Sequence, residues 1–322
     1  MPDTAKLAAV TATAVTYSQN GDSTLVSASE RRVRAPEPAE VRVAVAAAAA
    51  SPTDMLLRDM PWQEDEAPRT PGMDAAGVIE AIGPGVTRLA VGEEVMVALS
   101  PRRPEGGGQA SVIVVPAASV VRKPAGSTLA QASTIPMNGL TALYALDLAG
   151  LAPGQTLAVT GGAGWLAYVT IVLAKLSGLK VIADAKTTDF DLVRSYGANI
   201  VVERGEGFVE AVRAKAPDGV DALLDTALLG EKSFPAIADG GIYIPVRGWA
   251  GTEADRGIQI KPVMVPDVLE RTDWLEELRQ RVEAGDIVPL VAGEFTAEKV
   301  SEAHQMLTVG GVRGRPVITF SR

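Results

Sequence analysis

Two hydrophobic patterns divide the chain. Through the first third, short runs that alternate or are rich in β-branched residues stand between turn signals, at residues 8–17, 40–45, 77–82, 92–99 and 110–115. This spacing predicts strands. Gly83-Pro84-Gly85 predicts a tight turn, and the Pro, Gly and Arg content of 101–108 a surface loop. Several short strands so close together predict a small barrel or curled sheet.

Near residue 128 the pattern changes. Residues 128–132 and 139–149 read as helical, and from Gln155 onward strands alternate with helices. Strands are predicted at 156–160, 180–185, 200–202, 222–225 and 242–246. Helices are predicted at 165–178, 189–196 and 208–215, with a further segment at 234–238. Such alternation predicts βαβ units and a parallel sheet. A helix at 274–284, a strand near Glu294, a helix at 297–307 and a last strand at 316–320 complete the chain.

Length and composition narrow the function. At roughly 150 residues per domain, 322 residues make about two domains. The net charge of −9 argues against nucleic-acid binding through a bulk field. Without any Cys, a disulfide framework, a Cys-ligated metal and a Cys nucleophile are excluded. The single His, His304, would have to serve any triad or His-ligated metal, and no metal is expected. The N-terminus does not read as a secretory signal. No apolar run approaches the roughly 20 residues of a membrane span. The expectation is a soluble, cytoplasmic protein acting on a small molecule.

One motif carries specific chemistry. Gly162-Ala163-Gly164-Trp165-Leu166-Ala167 fits G-x-G-x-x-A between an apolar strand and an apolar helix. In this reading Gly162 permits the tight turn, Gly164 lets the backbone approach a pyrophosphate, and Ala167 lets helix and strand pack closely. The helix N-terminus then offers free N–H groups to the anion. Past the second strand lie Asp184 and Lys186. A carboxylate there binds a ribose 2′-hydroxyl and favours NAD, whereas a cation favours a 2′-phosphate. By spacing alone either assignment stands.

The sequence resembles the medium-chain dehydrogenase/reductase superfamily, in its zinc-independent quinone oxidoreductase-like branch. The resemblance covers nearly the whole chain. It rests on Ser51-Pro52-Thr53-Asp54, Pro71-Gly72-Met73-Asp74-Ala75-Ala76-Gly77, Gly83-Pro84-Gly85-Val86-Thr87, Pro136-Met137-Asn138-Gly139-Leu140-Thr141-Ala142, Gly219-Val220-Asp221 with Asp225-Thr226, and Gly311-Val312-Arg313-Gly314-Arg315. It implies an α/β protein: a GroES-like β-barrel domain of residues 1–128 and 267–322, and a Rossmann doubly wound parallel-sheet domain of residues 129–266. It further implies NADPH in the cleft between them, hydride transfer to quinones, enones or enoyl substrates, and a homodimer. Cofactor contacts would fall on Gly162, Gly164, Trp165, Leu166, Ala167, Lys186, Asn138, Thr141, Arg247 and Arg315. The substrate pocket would take Met60, Trp62, Tyr144 and Trp249. The zinc-dependent relatives' His position is Met73 here. The NAD-binding acid would align with Ala185, which favours NADPH and Lys186.

Departures from the family pattern raise an alternative. Trp165, Leu228 and Arg247 stand where relatives usually carry Gly, in segments where backbone approaches the cofactor. Either these side chains turn outward and the site binds, or they fill it. In the second case the chain is a redox-inactive cyclase or isomerase that works without a cofactor. Ser51, where relatives often have Asn, together with Asp54 and Tyr144, are the weak catalytic candidates. Tyr17 and His304 read as packing residues.

Overall fold

The computed structural model describes residues 8–17, 26–60 and 68–321. The chain forms two compact units, one of Met1–Met137 with Leu269–Arg322 and the other of Asn138–Val268.

In the first unit β1 (Val10–Tyr17) and β2 (Val26–Val33) form an antiparallel ribbon. The main sheet contains β3 (Glu40–Ala49), β4 (Asp74–Ile82), β5 (Glu94–Ala98), β6 (Val112–Pro116) and β7 (Val120–Arg122), with β14 (Val291–Thr296) and β15 (Arg315–Thr319) from the end of the chain. Strand β3 is its hub, pairing with β4, β6 and β15. Its sequence explains why. Val41, Val43 and Val45 alternate into the core, and the alanines that follow are buried on both faces. Where Val45 faces Gly77 the register slips, and a Cβ on Gly77 would lie 2.0 Å from the Ala44 carbonyl oxygen. Only glycine lets the two backbones approach there.

Short helices complete this unit: α1 (Pro52–Asp59), α2 (Leu129–Ala132), α7 (Thr272–Glu283) and α8 (Val300–Val309). Helix α1 lies in a stretch that the apolar pattern leaves unassigned. It is only 8 residues long and is set by capping rather than periodicity, with Ser51 accepting from the Thr53 amide and Asp54 accepting from the Ser51 amide.

The second unit is a six-stranded parallel sheet in the order β10-β9-β8-β11-β12-β13. Its strands are β8 (Thr156–Val159), β9 (Lys180–Ala185), β10 (Ile200–Glu203), β11 (Val220–Asp225), β12 (Ile237–Pro245) and β13 (Gln259–Ile260). This is the doubly wound order of a Rossmann sheet. The period-two alternation of its strands feeds two cores. Leu157, Val159, Val181, Ala183, Ala222 and Leu224 pack with α3 (Pro136–Ala149), α4 (Trp165–Leu176) and α5 (Phe190–Ser195). Ala158, Ile182 and Leu223 pack with α6 (Phe208–Arg213) and the 3-10 turn Gly230–Ala236. Sequence patterning leaves out β13, a strand of 2 residues that is too short to show a period.

Gly77→Ala should destabilise the first unit by about 3 kcal/mol or more, because the obstacle is backbone that cannot rotate aside. Chemical denaturation of the two proteins measures the loss. A change below about 0.5 kcal/mol would mean that β3 and β4 can separate without cost.

Candidate functional site

The glycine-rich turn follows β8 and opens α4. Its geometry reassigns the glycines. The residue that makes the turn is Gly161, at φ +67°, and not Gly162. Gly162 is needed for close packing, since a Cβ there would lie 2.6 Å from the Asp184 carbonyl oxygen and 3.0 Å from Ala183 Cβ. Gly164 is the N-cap of α4 in extended conformation, and its amide donates back to Gly161. The amides of Leu166 and Ala167 find no acceptor among the described residues. The signal for Gly161 was its place directly after the strand, where chain direction must reverse.

Asp184 is the residue that holds this turn. Its carboxylate accepts from the Gly161 amide at 2.5 Å and the Gly162 amide at 3.3 Å. Burial pushes its pKa up, and the two amides pull in the opposite direction. The carboxylate therefore points at the turn. Ala185 is buried behind it and Lys186 is exposed beyond the strand end.

A second lock lies across β8, β11 and β12. Asp225, fully buried, accepts from Thr160 Oγ1 at 2.7 Å, Tyr243 Oη at 2.7 Å and the Gly230 amide at 2.9 Å. Thr160 also accepts from the Ala227 amide through Oγ1 and from Thr226 Oγ1 through its carbonyl. Burial and the neighbouring carboxylate raise the Tyr243 phenol well above its ordinary pKa. This network fixes the segment after β11, where Leu228 sits at φ +61° with its side chain half exposed. Leu228 has kept a backbone conformation that suits glycine.

Trp165 lies along α4. Its ring is 5.1 Å from that of Tyr168, which in turn meets Tyr196 edge-on at 4.6 Å. Arg247 is exposed. Trp249 joins Phe234 and Tyr243 in an aromatic cluster, and its indole N–H donates to the Thr252 carbonyl. Tyr144 packs against the core shared by α3 and α4. Asn138 and Thr141 are buried on α3, and Asn138 Nδ2 has no hydrogen-bond partner among the described residues.

The remaining candidates belong to the first unit. Ser51 and Asp54 form the α1 capping box, and Asp54 also accepts from the Gly72 amide at 3.0 Å and Gln109 Nε2 at 2.9 Å. Asp74 accepts from the Met137 amide through Oδ1, while its Oδ2 is buried without a partner among the described residues. Arg315, also buried, is the cation whose charge acts on both carboxylates. Burial outweighs it and raises Asp54 to about 6 and Asp74 to about 7. Arg315 is thus placed in a buried charge cluster with Asp54 and Asp74, a role its sequence context did not signal. Met60 lines a groove of the first unit together with Arg69 and Arg102, and Trp62 lies outside the described residues. His304 is fully buried, faces Tyr17 Oη at 3.4 Å, and is lowered by burial to about 4.

Among the described residues no group of three or more His, Cys, Asp or Glu could hold a metal ion. No helix there is long and apolar enough to cross a membrane.

Comparison with known proteins agrees with this geometry. The alcohol dehydrogenase GroES-like domain family matches residues 37–125, and the zinc-binding dehydrogenase family matches residues 178–318. In both matched parts the chain is similar to the medium-chain dehydrogenase/reductase superfamily, and it carries a GroES-like and a Rossmann domain. It is similar to the 2-methylene-furan-3-one reductase of Solanum lycopersicum, at 29% identity over 78% of this chain and 63% of that protein. It is also similar to the chloroplastic NADPH-dependent alkenal/one oxidoreductase of Arabidopsis thaliana, at 29% identity over 78% of this chain and 64% of that protein. The chain therefore spans less than two thirds of the length of either plant relative. A solved structure described as an NAD-dependent alcohol dehydrogenase superposes with a TM-score of 0.83 at 27% identity, covering 96% of this chain and 100% of the other.

Two outcomes are expected. Leu228→Gly should stabilise the protein by about 0.5–1 kcal/mol, the left-handed strain relieved less the added freedom of glycine in the unfolded chain. Leu228→Val should destabilise it, because a β-branched residue fits that region worse. Equilibrium denaturation ranks the three. The second outcome concerns pH. A carboxyl whose folded pKa lies above its unfolded value binds more protons in the folded state, so its contribution to stability falls as pH rises through the interval between the two. For Asp74 that interval runs from 3.8 to about 7. The loss should be on the order of 1 kcal/mol per pH unit. Asp74→Asn should flatten this component, which denaturation at a series of pH values from acid to neutral reads directly.

Proposed function

We propose that the chain is a zinc-independent, NADPH-dependent reductase of conjugated carbonyl compounds or quinones. The observation that carries this reading is the β8–α4 turn. Gly161 supplies the positive φ, Gly162 the close approach to β9 and Gly164 the N-cap, and the Leu166 and Ala167 amides at the start of α4 find no acceptor among the described residues. Such a helix N-terminus suits a pyrophosphate. The fit extends to cofactor choice. Asp184 is engaged by the turn amides and Ala185 carries no carboxylate, so neither supports a ribose 2′-hydroxyl. Lys186 is exposed where a 2′-phosphate would need a cation.

When bound, NADPH would supply the hydride. The chain's own groups would bind and orient it through Gly164, Leu166, Ala167 and Lys186. Asn138 and Thr141 on α3 are proposed as further contacts. His304 and Tyr17 are sealed in the first unit's core away from solvent, so the proton on the product is proposed to come from water. The plant relatives' descriptions, a furanone reductase and an alkenal/one oxidoreductase, support the substrate class. The cofactor-free cyclase or isomerase reading rested on Trp165, Leu228 and Arg247. The Trp165 ring lies against Tyr168, Arg247 is exposed, and neither Leu228 nor Arg247 supplies the atoms nearest the turn glycines. These placements favour the reductase. A homodimer and a cytoplasmic location belong to the same reading.

NADPH should bind and be consumed when an enone or a quinone is added, followed by loss of its absorbance. Lys186→Glu should weaken NADPH roughly tenfold relative to NADH, about 1.4 kcal/mol. Fluorescence titration with both cofactors tests this. Turnover of substrate by the wild type in the complete absence of dinucleotide would replace the reductase with the cyclase reading.

A further inference from the structure

Tyr243 stands on β12, with β11 between it and the strand that leads into the glycine-rich turn. It pairs with Leu223, so it shares a face with Asp225, two residues further along β11. That offset is roughly 6.6 Å of strand, a distance that a phenol leaning toward the strand's C-terminal end spans. Tyr243 Oη donates to Asp225 Oδ2 at 2.7 Å. Both residues are sealed from solvent.

The two oxygens of Asp225 have different partners. Oδ2 takes Tyr243 Oη and the Gly230 amide, and Oδ1 takes the hydroxyl of Thr160, the residue directly before Gly161. With its hydrogen given to Asp225, Thr160 Oγ1 turns a lone pair to the Ala227 amide at 3.0 Å. Thr226 Oγ1 donates to the Thr160 carbonyl at 2.5 Å. Thr226 and Ala227 are thereby drawn against the turn. A Cβ on Gly161 would lie 2.7 Å from Thr226 Oγ1 and 3.7 Å from Ala227 Cβ. The turn is held on one side by the Asp184 carboxylate and on the other by this segment.

Without the phenol hydroxyl, Oδ2 keeps the Gly230 amide alone among the described residues. A buried carboxylate oxygen short of a donor is costly, and rotation of the carboxylate is the ready response. Rotation releases the Thr160 hydroxyl, and the Ala227 amide loses its fixed acceptor. The Tyr243 ring is held separately, edge-on to Phe234 at 4.9 Å and to Trp249 at 5.2 Å. Aromatic packing of this kind keeps a phenylalanine in place, so removing the hydroxyl isolates the hydrogen bond.

We propose that the Tyr243 hydroxyl is a positioning group for dinucleotide binding: through Asp225 and Thr160 it holds Thr226 and Ala227 against Gly161, and so fixes the turn on which a pyrophosphate would rest. This inference rests on the reductase reading and adds to it a buried residue that acts through two other side chains. The pyrophosphate is common to NADPH and NADH. Tyr243 therefore sets the affinity for both alike, whereas Lys186 separates them.

The test is calorimetric titration of the full chain with NADPH and with NADH, in the absence of substrate. The variants are Tyr243→Phe, Thr160→Val, Thr160→Ser and the double variant Tyr243→Phe with Thr160→Val, each checked for cooperative thermal melting. Tyr243→Phe should weaken both dinucleotides by about tenfold and leave their ratio unchanged. Thr160→Val should do the same, while Thr160→Ser, which keeps the hydroxyl, should stay within about twofold of the wild type. If the two groups act on one path, the double variant is no weaker than Thr160→Val by more than about twofold, whereas independent effects would multiply to about a hundredfold. Should Tyr243→Phe fail to fold, Asp225→Asn takes its place with the same loss expected, because its one acceptor oxygen can serve Thr160 or Tyr243 but not both. Lower melting temperatures with unchanged dissociation constants would reduce Tyr243 to a structural role and overturn the proposal, leaving the reductase reading in place. So would multiplying losses in the double variant, or equal losses in Thr160→Ser and Thr160→Val. A wild type that binds neither dinucleotide would overturn the reading and the proposal together.

Discussion

What the Rossmann unit can offer depends on one backbone contact, the β8–α4 turn lying on strand β9. Gly162 is close enough to Asp184 that no side chain fits between them, and the Asp184 carboxylate takes the amides of Gly161 and Gly162. Because the turn is held from below, α4 starts at a fixed place with its first amides outward. If Asp184 were turned toward a ribose, the turn would lose its acceptors. Both amides take the same oxygen, Oδ1, so the turn fixes the orientation of the whole carboxylate.

The same unit shows how large residues sit at positions where the resemblance leads one to expect glycine. After β11 the hydrogen bonds of Thr160, Asp225 and Tyr243 determine the path of the loop. Leu228 inherits the left-handed conformation that this path requires. Trp165 instead finds aromatic neighbours on the flank of its own helix. One departure is accommodated by strain and the other by packing.

The class of fold was legible in the sequence because its signals are local. Alternation gave most strands of the first unit but not the largely polar β2 or the short β7, and apolar strand followed by apolar helix gave the second. Elements shorter than a period were not legible: β13, and α1, whose existence depends on the Ser51–Asp54 capping box. The glycine-rich turn was recognised, but the labour of its glycines was misassigned, since φ and close contacts are three-dimensional facts. By spacing Asp184 could serve a ribose, and the structure shows that it holds the turn through Oδ1. Arg315 was carried to the cofactor by its motif, and the structure places it in a buried cluster with Asp54 and Asp74.

The solitary histidine has a use outside catalysis. Sealed against Tyr17 in the core and held uncharged through the neutral range, His304 presents no imidazole to reagents dissolved in water. Any imidazole chemistry detected in this chain therefore comes from molecules whose first unit has opened. The fold contains its own single-site clock for that event. Its readout is free of background, because nowhere else in the 322 residues does a second histidine compete.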